Sequence, residues 1–381
     1  MKKTAEVVII GGGISGLSIA FNLASMGMRD VVVLEKSYLF SGSTGRCGAG
    51  VRQQWGTEMN CALGKATCEI FENLNEILDF EDDIEFKQGG YLMMAITEKE
   101  VEQFKKNIEL QHSMGIPSVM LTPQEALDIV PELNIEGILA CTFCQKDGHA
   151  NPFKTMQAYA EAAKRHGAEI YTYTEATGID VVEGRVRGVQ TNKGYISTDK
   201  VVIAAGAWSK QVGEMAGCDV PVRPERHQIL VTEPVNPILG PMLMSFAGNI
   251  YLQQEPGGEF IMGFGKDEPP EHKVTSTWEF VETMCQKATR YLPYMKNVRI
   301  VRQWAGLYEM SPDAQPILGK AEEVEGIYLA TGFSGHGFMF GPITGQLMAE
   351  YILGLPTTLP IDKLDVGRFK RGELIFEPSV V

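Results

Sequence analysis

The chain has 381 residues, 34 of them basic and 48 acidic, for a formal net charge of −14, and so acidic a surface repels phosphate backbones and argues against nucleic-acid binding. At 44% hydrophobic and 22% charged it has the make-up of a globular protein, neither disordered nor built around a membrane span, and its length suits two domains. The seven cysteines are odd in number and scattered, which excludes a disulfide framework; without a recognisable signal peptide the protein reads as cytoplasmic.

Residues 6–10 read as a strand whose last four, Val7 to Ile10, are apolar without alternation, which predicts a parallel strand covered on both faces. Glycines follow at 11, 13 and 16, the apolar spacing of 17–26 predicts a helix closed by Gly27, and 29–34 is a second buried strand ending at Glu35. In that order the pieces make a dinucleotide site. Gly11 permits the tight turn, Gly13 lets the backbone approach a pyrophosphate, and Gly16 lets the helix pack on the strand. The helix start at Ile14 and Ser15 offers amides to phosphate, while Glu35, followed by Lys36, can accept hydrogen bonds from ribose hydroxyls.

Residues 40–56 are glycine-rich and aperiodic, and they carry Ser43, Thr44, Arg46 and Arg52. They read as an ordered loop wrapped on a ligand. Helices are predicted at 57–78, 98–114, from Thr122 onward with Pro123 in the first turn, and at 152–167. Strands are predicted at 86–94, 169–173, 179–183, 185–191 and 195–198. The Cys141/Cys144 pair reads as two buried, apolar-like cysteines, and no metal site is expected.

Residues 200–208 are another buried strand ending in small residues, with Gly206 and Trp208 where a cofactor would fit. The proline-rich span 220–302 predicts antiparallel strands and turns. Residues 326–332 return to the parallel-strand style, then 333–339 lead to a helix at 342–353. The expected fold is α/β: a Rossmann-like dinucleotide domain made discontinuously from 1–85, 146–219 and 325–381. A mostly antiparallel α+β substrate domain takes 86–145 and 220–324.

Residues 8–16, 201–208, 316–319 and 330–338 together resemble the D-amino acid oxidase/sarcosine oxidase family of flavoproteins. Residues 46–54 and 332–339 most resemble the β subunits of multimeric L-proline dehydrogenases and sarcosine oxidases. The resemblance implies noncovalent FAD, with its adenine end at Gly11, Gly13, Gly16 and Glu35. Its ring would lie near Ser43 to Arg46 and near Gly332, Gly335, His336, Gly337, Phe338 and Met339. It implies hydride transfer from the carbon beside the amine of a small amino acid to the flavin, giving an imine, with secondary amines and L-proline foremost. Arg52 then matches the family's carboxylate-binding arginine, Tyr251 a substrate-pocket tyrosine, and His336 a residue beside the flavin.

Three departures shape that expectation. The cysteine that attaches FAD in some relatives aligns near Gly306, the lysine that promotes reaction with oxygen at Ile261, and a second carboxylate-binding lysine at Met339. A dehydrogenase is therefore expected over an oxidase. The multimeric relatives imply a companion α subunit carrying electrons onward through an FMN at the interface, noncovalent here because Pro152 stands at the attachment position. The segment 223–227 reads as a basic loop, either facing that FMN or simply solvated, and Trp304 and Tyr308 read as core packing, with a pocket wall as the alternative. The alternatives are a stand-alone oxidase of sarcosine, glycine or a D-amino acid, and an FAD-holding electron-transfer or assembly subunit.

Overall fold

The computed structural model describes residues 1–266 and 268–378. Strands Val7–Ile10, Val31–Leu34, Glu169–Tyr171, Val201–Ile203 and Ile327–Thr331 form a parallel sheet, and Ile317–Lys320 adds antiparallel at one edge. Side chains alternate between its faces. Val7, Ile9, Val31 and Val33 pack with the helices Ile14–Ser25 and Gly337–Ile352, whereas Val8, Ile10, Val32 and Leu34 pack toward a three-stranded sheet and the helix Ser209–Ala216. Burial on both faces is why these strands are apolar without alternation, each such side chain contributing about 1.5–3 kcal/mol.

The second sheet has eight strands, ordered Ile300–Met310, Arg223–Thr232, Phe260–Phe264, Ile250–Gln254, Met242–Ser245, Tyr91–Ala95, Ala140–Cys144 and Val119–Leu121. Its pairings are antiparallel except that Met242–Ser245 runs parallel to Tyr91–Ala95. Cys141 and Cys144 fall in different core clusters, and burial pushes both thiols up to about 12. They are packing residues rather than a dithiol.

Several elements depart from the sequence reading. The first helix begins at Ile14 rather than 17, with Gly13 as its cap. The helix expected over 57–78 is Glu58–Glu72, capped by the Thr57 hydroxyl, and breaks at Asn73 before a short turn, Leu74–Ile77. The strand expected from 86 starts at Tyr91, because Gly90 holds φ +87°. The span read as all strand and turn contains a helix, Trp278–Tyr291, whose Phe280, Val281, Met284, Ala288 and Tyr291 face the core.

The last helix starts at Gly337, so Pro342 lies inside it. It crosses the first helix closely: Ser18 Oγ donates to the Gly341 carbonyl at 2.7 Å, and a Cβ on Gly345 would lie 2.6 Å from the Ser18 carbonyl carbon. Only glycine allows that approach. The crossing sets the beginning of the last helix beside the beginning of the first, which places the functional site.

Candidate active site

One cavity of about 580 Å³ runs from the turn after the first strand to the start of the last helix. At its nucleotide end the chain reverses at Gly11 with φ +119°, and a Cβ there would lie 2.1 Å from the Ala204 carbonyl oxygen. The Ile14 amide donates to Thr44 Oγ1 at 3.3 Å. Among the described residues the amides of Gly13 and Ser15 have no protein partner, so the first helix directs unpaired N–H groups and its positive dipole end into the cavity. Glu35 is fixed by the Gly12 amide at 3.0 Å and the Ser37 amide at 2.8 Å. Lys36 places its ammonium 3.5 Å from the centre of the Trp208 ring, and burial lowers its pKa.

The glycine-rich loop is sewn to the strand Ile300–Met310. Ser43 donates to the Leu307 carbonyl at 2.6 Å, Arg46 to the Ala305 and Ser41 carbonyls at 3.0 and 2.9 Å, and Trp304 to the Arg46 carbonyl at 2.9 Å. Arg46 lines the cavity, but its guanidinium spends these donors on backbone. Gly306 abuts the Arg46 side chain, and Ile261 packs near Gly48 beside Tyr251.

Beyond the loop the cavity widens into an aromatic chamber. Arg52 is 3% exposed, lies 3.6 Å from the Trp55 ring and donates to the Gln54 carbonyl at 2.7 Å. Burial lowers its pKa, but a guanidinium remains charged. Behind it Asp147 accepts from the Gln53 amide at 2.9 Å and the Gln54 side chain at 2.8 Å, holding the loop that carries Arg52. Burial outweighs those bonds and the nearby Arg52 charge, and pushes the Asp147 carboxyl up to about 7.

Tyr251, His227 and Tyr308 form a stack that lines the same cavity. The His227 ring lies 4.5 Å from Tyr308 and 5.7 Å from Tyr251, and its Nε2 is 3.2 Å from the Tyr251 hydroxyl. Burial pushes His227 down to about 4. His336, against Trp55 at 5.2 Å, is pushed down to about 3 by burial and by the Arg52 charge. Both rings are therefore neutral at physiological pH.

Of the residues singled out in the sequence, Gly11, Gly13, Ile14, Ser15, Glu35, Lys36, Ser43, Thr44, Arg46, Arg52, Gly206, Trp208, Tyr251, Gly335, His336, Gly337, Phe338 and Met339 all line this one cavity. Gly16 and Gly332 do not. Gly16 packs the helix on Gly11, and Gly332 turns the chain at φ +75° after its strand. Residues 223–227, read as a loop, lie within the strand Arg223–Thr232, and Tyr308, read as core packing, lines the cavity. His227 points into the chamber, whereas Arg223 and Arg226 edge a second cavity with Lys266 and Lys287. Sequence reasoning also missed Trp55 and Glu309.

The family model described as FAD dependent oxidoreductase matches residues 6–351. The sarcosine oxidase subunit beta of Rhodobacter capsulatus is 29% identical over 99% of this chain and 91% of its own length. Among solved structures, L-proline dehydrogenase from P. horikoshii superposes with a TM-score of 0.94 at 40% identity, covering 98% of this chain and 100% of that one. Glycine oxidase from Geobacillus kaustophilus gives a TM-score of 0.89 at 25% identity, covering 96% and 99%. The cradle fits such a cofactor: the turn at Gly11 leaves no room for a side chain, two amides at the helix start lack protein partners, and a fixed carboxylate waits at the next strand end. The chain belongs to the FAD dependent oxidoreductase family.

Proposed function

We propose that this chain is the catalytic subunit of an amino-acid dehydrogenase that oxidises a secondary amine, L-proline first. The observation that carries this reading is the chamber itself, which the buried cation Arg52 lines together with the neutral aromatic stack of Tyr251, His227 and Tyr308. The guanidinium suits bidentate capture of a carboxylate, and its charge together with the dry wall disfavours an ammonium, so the amine enters neutral. Tyr251 and His227 then orient the amine, while Met242, Met244 and Ile229 exclude water from the reacting carbon. Bound FAD supplies the hydride acceptor.

Gly11, Gly13, Ile14, Ser15 and Glu35 would hold the adenosine diphosphate portion of FAD, and Gly335 to Met339 the ring. The two sheets support a division into an FAD domain and a substrate domain near the boundaries expected from sequence, with Ile317–Lys320 added to the first. The apolar Ile261 beside the loop supports a dehydrogenase served by a companion subunit, as does the likeness to a sarcosine oxidase subunit beta. Anaerobic addition of L-proline should bleach the flavin absorbance, while the isolated chain in air releases little hydrogen peroxide. Rapid peroxide release would favour a stand-alone oxidase, and no bleaching with proline, sarcosine or glycine would leave an electron-transfer subunit.

Because His227 and His336 are pushed down to about 4 and 3, neither ionises between roughly pH 6 and 9, where amine substrates are selected by protonation state. Below the substrate's own amine pKa, kcat/KM should rise with pH at unit slope. With a less basic secondary amine the curve should move by the difference in amine pKa. A break that stays in place when the substrate changes would assign the ionisation to the enzyme instead, to a histidine near roughly 6.5 or to the Asp147 or Glu309 carboxyl, both pushed up to about 7.

A further inference from the structure

Glu309 is a carboxyl group on the cavity wall that none of these roles uses. It follows Tyr308 on the strand Ile300–Met310. Its Oε2 lies 3.2 Å from Thr331 Oγ1, and its Oε1 accepts from the Phe333 amide at 3.4 Å. The Thr331 hydroxyl has one hydrogen and also lies 2.9 Å from Ser209 Oγ, so the carboxyl's lone pairs on the cavity side are largely free to accept from a ligand. Oε2 would be 3.3 Å from a Cβ built on Gly206, which puts the carboxyl against bare backbone.

Gly206 and Thr331 stand at the ends of the two strands beyond Val7–Ile10 in the parallel sheet. Glu309 therefore lies at the strand ends beyond the one that leads into the Gly11–Ser15 turn, which takes phosphate, and beside Phe333, just ahead of the Gly335–Met339 segment. A carboxylate there repels a diphosphate and offers nothing to an aromatic ring face, but it matches hydroxyl donors. FAD carries hydroxyls on its adenosine ribose, which faces Glu35, and on its ribityl chain. We propose that Glu309 is a cofactor-positioning residue that accepts hydrogen bonds from the ribityl hydroxyls of FAD. Burial pushes this carboxyl up to about 7 against the pull of Phe333 and Thr331, and hydroxyl donors would compensate that burial.

The test measures FAD affinity on apoprotein by recovery of flavin fluorescence, using FAD and analogues each lacking one ribityl hydroxyl. A hydrogen bond to a charged group predicts that wild type loses about 10- to 100-fold in affinity for at least one analogue. Glu309→Ala should bind FAD more weakly by a similar factor and no longer discriminate that analogue. Glu309→Gln, which keeps one acceptor, should fall between. Equal FAD affinity in wild type and Glu309→Ala overturns the assignment, as does weaker binding with the analogue preferences intact, which would mark a merely structural role. Should Glu309→Ala fail to fold, indifference of wild type to every analogue overturns it independently.

Discussion

Replacing Arg52 with alanine should lower kcat/KM for the amino-acid substrate by about 30- to 5000-fold, the equivalent of about 2–5 kcal/mol for truncating one partner of a buried charge pair, with FAD still bound. Retention of FAD follows from position, because the nucleotide end is built from the Gly11 turn, the first helix and Glu35, whereas Arg52 stacks on Trp55 and donates to the Gln54 carbonyl. Arg52→Lys keeps the charge but loses the planar fork and the 3.6 Å stack on Trp55, so it should recover only part of the loss. Carboxamide and ester derivatives separate anchoring from loop support. Wild type should strongly prefer the free acid, and Arg52→Ala should treat acid and amide alike. If Arg52→Ala still prefers the acid, the carboxylate binds elsewhere and Arg52 only braces Trp55 and Gln54.

What the sequence made legible was the part of the site that is local in the chain. The turn at Gly11, the helix start at Ile14 and Ser15 and the carboxylate at Glu35 lie on one strand–helix–strand unit, where backbone geometry leaves glycine few substitutes. The chamber is different. Its wall joins Tyr308, His227 and Tyr251 from three strands, with Phe260–Phe264 lying between the strands of His227 and Tyr251, and no periodicity within one segment announces that meeting. His227 was hidden further by Pro224 and by the arginines around it, which read as a loop although the segment pairs residue by residue with 306–310. The helix Trp278–Tyr291 was obscured by the prolines before it, despite buried residues at helical spacing. Glu309 did leave a signal: a lone acid inside the otherwise uncharged run 304–310 asks for a partner at its position.

Arg368→Leu should destabilise the protein by about 3–5 kcal/mol, because it leaves Asp313 as a buried charge without its partner. Both side chains are fully buried. Arg368 Nε and Nη2 each donate to the Asp313 carboxylate at 2.9 Å, and Nη1 donates to the Leu364 carbonyl at 2.8 Å. Burial works to raise the Asp313 pKa, but the Arg368 hydrogen bonds and charge outweigh it and hold the carboxyl below its ordinary range. A depressed carboxylate stabilises the fold above the unfolded-state pKa, roughly 3.9, and that stabilisation is lost as pH falls through the folded value. Urea midpoints measured from pH 7 downward should therefore fall more steeply in wild type than in Arg368→Leu. Removing both charges, with Asp313→Leu added, should restore much of the lost stability. Asp313 closes the turn begun by Ser311, whose amide donates to Ser334 Oγ at 3.1 Å. The turn thereby fixes the end of the strand carrying Tyr308 and Glu309, so the single variant should also weaken FAD binding, and unchanged FAD affinity would show that the strand end is held without this pair.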